Sequence, residues 1–132
     1  MAGLLTRYLV EAAGQDFMWA ERDCAIFVAE WLDRLTGREG GADWRGRYHD
    51  EASCAAYIAA NGGMVAIADA FIGTHYGMTR TAAAGEGNPV VVDYGGRQMM
   101  GLRVDGRDIA MRSEKRLFIT PRAMVLAEWG PV

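Results

Sequence analysis

Residues 17–31 read Phe17-Met18-Trp19-Ala20-Glu21-Arg22-Asp23-Cys24-Ala25-Ile26-Phe27-Val28-Ala29-Glu30-Trp31. From Cys24 the apolar positions continue through Phe27, Val28, Trp31, Leu32 and Leu35, the recurrence of one buried helical stripe, until Thr36-Gly37 stops it. Asp23 stands just before the stripe as an N-cap, its carboxylate placed to accept from the unpaired amides of the first turn. Cys24 therefore opens the helix on its core face. There the macrodipole and the free N–H groups favour thiolate over thiol. A cysteine so placed has two readings. As a nucleophile it needs an imidazole within hydrogen-bond reach, oriented by a third polar group. As a core thiol it behaves as a small hydrophobe and needs nothing. The chain has two histidines, His49 and His75, and both read as solvated loop residues, so the core thiol is the stronger reading.

Working outward, Leu4, Leu5, Tyr8, Leu9 and Ala12 predict a short helix over residues 2–13, ended by Gly14 and lying across the helix at Cys24. Residues 37–47, with their glycines and the Asp43-Trp44-Arg45-Gly46-Arg47 cluster, read as a loop. A third helix begins near Asp50-Glu51, carries Cys54, Tyr57 and Ile58 on one side, and breaks at Asn61-Gly62-Gly63. Met64, Ile67, Ala68, Phe71 and Ile72 predict one more, closed at Gly73. After Gly87 the grammar changes. Val90 to Val92, Met99 to Val104, Ile109 to Arg112 and Leu117 to Ile119 are short β-prone runs separated by turn residues, the signature of an antiparallel meander. Thr120-Pro121 reads as the cap of a brief helical turn, with Val125 to Trp129 as a last strand. Helices first and strands afterwards make a single α+β domain over residues 1–132, helical to about residue 73 and β from about residue 87.

Composition narrows the function classes. Seventeen acidic and fourteen basic residues give a net charge of −3 with no basic stripe, which argues against a grip on nucleic acid. No run reaches membrane-spanning length, and Met-Ala-Gly-Leu-Leu-Thr-Arg at the start has no export-signal pattern, so a cytoplasmic origin with Cys24 and Cys54 as free thiols is expected. Neither cysteine has a histidine or second cysteine at ligand spacing, so no metal and no cofactor is expected. Trp19, Trp31, Tyr48 and Trp129 read as core aromatics, and Met99, Met100, Met111 and Met124 as fillers of irregular gaps in the sheet half.

The stretch from Phe17 to Trp31, then Leu35-Thr36-Gly37, Arg45-Gly46-Arg47-Tyr48, Gly87 to Val92, Met100-Gly101-Leu102, Leu117-Phe118-Ile119 and Trp129, resembles a family from bacteria and tailed phages. That family is similar to the NlpC-type cell-wall cysteine peptidases, and the resemblance implies a papain-like fold. It places Cys24 at the nucleophile position and Trp19, Asp23 and Tyr48 as candidate binding residues. It also places Met99 where those enzymes carry histidine, Ala110 where they carry a third polar residue, Gly87-Asn88 for their Gly-Asp, and Ala20 for a glycine. Methionine cannot take a proton. The resemblance therefore implies a structural or assembly protein of a phage or prophage tail, near its tip. Its partners would be other tail proteins, and it would be made in the bacterial cytoplasm and carried in the virion tail. The alternative is a peptidoglycan-cleaving cysteine peptidase acting on cell-wall peptide, with Cys24 as nucleophile and a loop histidine as base.

Overall fold

The structure, a computed structural model, describes residues 3–132. Five helices come first: α1 (Leu4–Ala13), α2 (Cys24–Thr36), α3 (Gly40–Trp44), α4 (Glu51–Ala60) and α5 (Met64–Tyr76). Six strands follow: β1 (Thr79–Arg80), β2 (Pro89–Tyr94), β3 (Arg97–Arg103), β4 (Ile109–Arg112), β5 (Leu117–Thr120) and β6 (Met124–Gly130). The domain is α+β, with helices preceding an antiparallel sheet of order β1-β6-β2-β3-β4-β5.

The stripe on α2 is the centre of packing, with Ala25 to Ala29, Trp31 and Leu32 all buried between α1, α3 and the sheet strands β3 and β4. α1 lies across it as expected: the Tyr8 ring stacks on Phe27 at 5.5 Å, and its hydroxyl donates to the Phe27 carbonyl. Ala2, the first residue of the helix read from sequence, lies outside the described residues. α2 ends at Gly37, left-handed as a helix-closing glycine should be (φ +72°). The glycine-rich stretch read as a loop contains α3. Its first amides, on Gly40 and Gly41, donate to the Asp33 carboxylate at 2.9 and 3.1 Å, and that carboxylate also takes the Tyr76 hydroxyl at 2.7 Å. A Cβ on Gly40 would come within 2.3 Å of the Tyr76 hydroxyl, so tertiary contacts, not propensity, make this turn helical.

α4 starts where expected, with a reciprocal capping box between Asp50 and Ser53. α5 runs past Gly73 to Tyr76 and closes at Gly77 instead. A single glycine costs a helix about 1 kcal/mol, and anchoring buried Tyr76 to Asp33 offsets it.

In the sheet half the meander is β2 to β5, and β6 returns to the far side of β2, pairing Val90 with Glu128 and Asp93 with Met124. β1, too short to read from sequence, pairs Thr79 with Gly130 and Arg80 with Trp129. The expected helical turn at Thr120-Pro121 is absent: Thr120 closes β5 opposite Ile109, and a bend leads directly into β6. Alternate residues serve two apolar clusters. Val91, Met100, Leu102, Ala110, Ala127 and Trp129 join the helices, while Val90, Val92, Met99, Ile109 and Met111 form a second cluster. With both faces covered, the strands carry unbroken apolar runs rather than alternation. Met99, Met100 and Met111 fill core, whereas Met124 is 64% exposed.

One buried ion pair ties three strands together. Glu128 on β6 accepts from Arg103 Nη2 and Nε on β3 at 2.8 and 2.9 Å, and from Asn88 Nδ2 at 3.0 Å at the start of β2. Burial pushes the Glu128 carboxyl up, but the Arg103 and Asn88 bonds outweigh it and hold the group below its ordinary range. A carboxyl depressed in the folded state contributes stability above its unfolded range and loses it as pH falls through the folded value. Urea unfolding is expected to show Glu128→Gln less stable by about 3 kcal/mol at neutral pH, with a shallower acid loss than wild type, because Arg103 keeps a buried charge without its counterion. An unchanged acid limb would contradict this assignment.

Candidate functional site

The loop before α2 is folded around Asp23. Met18 and Arg22 bridge each other's backbone, which forces Ala20 into the left-handed region at φ +63°. A residue with a Cβ pays roughly 1–2 kcal/mol there, a cost that a glycine would avoid. The turn brings Ala20 N to Asp23 Oδ2 at 2.9 Å, while Asp23 Oδ1 caps α2 through Ile26 N at 3.0 Å. Tyr48 completes the set, donating to Asp23 Oδ2 at 2.5 Å and accepting from Trp44 Nε1 at 2.9 Å. Asp23 is 1% exposed, so it is a buried carboxylate whose charge is spread over three donors. Burial, then the Asp23 charge, pushes the Tyr48 phenol well above its ordinary value, so Tyr48 remains a donor.

Beside this network opens a cleft of about 390 Å³ between α4 and the start of α2 on one side, and β3 and the turn after β4 on the other. Its apolar floor includes Phe17, Trp19, Cys54, Ile58, Met64 and Met99, and Cys24 faces it half-buried. Trp19 is a wall rather than core: Phe17 meets its ring edge-on at 5.0 Å, and the Arg97 guanidinium lies over it at 5.9 Å. Trp31, Tyr48 and Trp129 are core, as expected.

At Cys24 the influence of the helix start is outweighed. Burial pushes the Cys24 thiol up to about 12, the neighbouring Asp23 carboxylate adds to the rise, and a backbone hydrogen bond from Met100 only partly offsets them. Burial is the larger cause; the Asp23 cap contributes second, occupying an amide of the first turn and putting a negative charge beside the sulfur. No imidazole reaches Cys24 among the described residues. The His49 side chain is 83% exposed and lies beside Asp50 and Ser53, and His75 Nε2 meets Asp43 at 3.0 Å on another face. Met99 lines the cleft beside Cys24. Ala110 does not; it is fully buried, paired with Leu102 and Ile119. The structure thus gathers Trp19, Asp23, Cys24 and Met99, sets Tyr48 behind Asp23, and leaves Ala110 in the core.

Sequence reasoning missed Phe17, Cys54, Arg97 and Arg112 as cleft residues. Arg112 carried a signal, as the charge ending an apolar strand. Among the described residues no group of three His, Cys, Asp or Glu side chains is arranged for a metal. Asp23, Glu51 and Glu114 add carboxylates to the largely apolar lining, and no imidazole stands among the described lining residues.

Two measurements check this. Iodoacetamide labelling of Cys24, followed by peptide mass mapping, is expected to be negligible at neutral pH and to rise only as pH approaches 12; fast labelling near neutrality would contradict it. Tyr48→Phe removes the hydroxyl from Asp23 and from the Trp44 N–H together, so chemical denaturation should register a loss of about 2–3 kcal/mol, and a neutral result would mean the network carries little.

No curated protein and no solved structure matches the chain. A family profile described as a domain of unknown function, DUF6950, matches residues 2–130. Covering almost the entire sequence, that match makes the chain a member of the DUF6950 family.

Proposed function

We propose that this chain is a non-catalytic domain of the papain-like NlpC type that serves as a structural or assembly component of a phage or prophage tail, near the tip. One observation carries the loss of catalysis: Cys24 keeps its place at a helix start inside a cleft, while its thiol is raised to about 12 and the histidine position of the resembled enzymes is Met99. Attack on a peptide carbonyl needs a thiolate or a base to make one, and the raised thiol with no imidazole beside it supports a non-catalytic reading. A cleft with an aromatic and aliphatic floor and charged groups at its sides is suited to hold a segment of another protein. The order of helices and antiparallel strands supports a papain-like arrangement, and the tail setting follows from the resemblance of residues 17–48 and 87–129. Partners on this reading are other tail proteins.

The test has a biochemical and a genetic arm. Purified protein incubated with dye-labelled murein should release no more dye than Cys24→Ala. Deleting the gene from the phage or prophage that encodes it should give particles with incomplete tails, restored equally by wild type and by Cys24→Ala. Murein digestion that depends on Cys24 would establish the peptidase reading instead, and intact tails after deletion would remove the assembly role.

A further inference from the structure

The two outer strands of the sheet differ in how their edges are protected. β5 is four residues long, entered from Lys115-Arg116 and left through Pro121, the short, charged and proline-flanked form that resists pairing with another chain. On the opposite side β6 is covered only at its far end: β1 pairs with Trp129 and Gly130, and Thr81 N donates to the Glu128 carbonyl at 2.9 Å. From Met124 to Ala127 the inner side of β6 pairs with β2, and among the described residues nothing pairs with the outer side. Main-chain donors and acceptors face both sides of a strand, so this stretch presents N–H and C=O groups to solvent. Its side chains are exposed and apolar as well: Met124 is 64%, Val125 36% and Leu126 37% accessible, and residues 123–127 contain no lysine and no proline.

An edge of this kind accepts an extended strand, because only a strand satisfies a row of main-chain groups. The residues themselves select which strand. Ala123-Met124-Val125-Leu126-Ala127 reads nearly the same in both directions about Val125. Two copies paired antiparallel about that point set Val125 opposite itself, Met124 opposite Leu126 and Ala123 opposite Ala127, so large apolar side chains meet at the centre and small ones at the ends. In the same register the nearest charged residues, Arg122 and Glu128, fall opposite each other, and no like charges are brought together. The register shift between Val91 and Val92 leaves Leu126 as an extra residue on β6, and the added twist keeps any such ladder short.

We infer that two copies of this chain associate through the exposed edge of β6, antiparallel about Val125, so that one sheet runs through the pair. The contact is isologous and closes at two, and the joined sheet ends on the protected β5 strand of each copy. A short ladder with few apolar side chains makes a weak dimer, with a dissociation constant on the order of 100 µM. This surface lies apart from the residues that line the Cys24 cleft, so it does not depend on how that cleft is used.

Sedimentation equilibrium of the whole chain tests the pairing. The wild-type mass is expected to climb from that of one chain at about 10 µM toward that of two at about 1 mM. Val125→Lys places two like charges face to face on the axis and should weaken association at least about tenfold, whereas Val10→Lys, on an exposed position of α1, should dimerise as wild type does. A second variant covers the case in which Val125→Lys does not fold. On the axis the two Cβ atoms stand about 4.5–5.5 Å apart, at the outer reach of a disulfide, so Val125→Cys should cross-link to itself under air oxidation at least about tenfold faster than Val10→Cys, with the linked residues read by peptide mass mapping. A chain that keeps the mass of one copy at about 1 mM, a dimer undiminished in folded Val125→Lys, or equal cross-linking at residues 125 and 10 overturns the inference.

Discussion

The Asp23 carboxylate is the constraint around which the site is arranged. With one oxygen it caps the helix that centres the core, and with the other it gathers the Ala20 amide and the Tyr48 hydroxyl. A capping side chain contributes on the order of 1 kcal/mol by itself, and charge-assisted bonds in a water-free setting contribute more. The same carboxylate also acts on its neighbour. Burial is the larger cause that raises the Cys24 thiol, and the fixed negative charge of Asp23 beside the sulfur adds to the rise.

The cleft beside that network owes its form to close packing on the sheet. Gly101 is the clearest case: a Cβ there would approach the Ala110 carbonyl at 2.8 Å and Met111 Cγ at 2.9 Å, so only glycine lets β3 and β4 come together with Met111 packed over it. Met99 and Met111 then join Val90, Val92 and Ile109 in one apolar cluster on that side of the sheet. What remains is a surface of aromatic, aliphatic and sulfur-bearing groups bordered by the arginines Arg97 and Arg112 and the carboxylates of Glu51 and Glu114.

Much of the architecture was legible because it is locally encoded. The α2 stripe, the Asp23 cap, the Asp50 start of α4 and the four strand runs of the meander all rest on side-chain period or on a residue acting within a few positions of itself. The misreadings have the opposite character. α3 depends on Asp33 and Tyr76 reaching it from other helices; α5 outlasts Gly73 because Tyr76 is held at the far end; β1 exists only as a partner for β6. At the site, Cys24, Trp19 and Met99 could be placed from order and spacing, whereas Cys54 and Arg112 join them only through the packing of α4 and β4.

α4 differs from the rest of the helical half in that none of its residues is fully buried, although Cys54, Tyr57 and Ile58 are partly covered. Five alanines and the capping box let the helix keep its backbone shape with little help from the core. An element stabilised locally and bound weakly at its sides has a lower opening free energy than the sheet, so its amides are the ones that should exchange with solvent deuterium by sub-global fluctuation. The cleft is thereby bounded by a stiff strand wall and a compliant helical one. A change in its width would fall on α4 and leave the ladder beneath undisturbed.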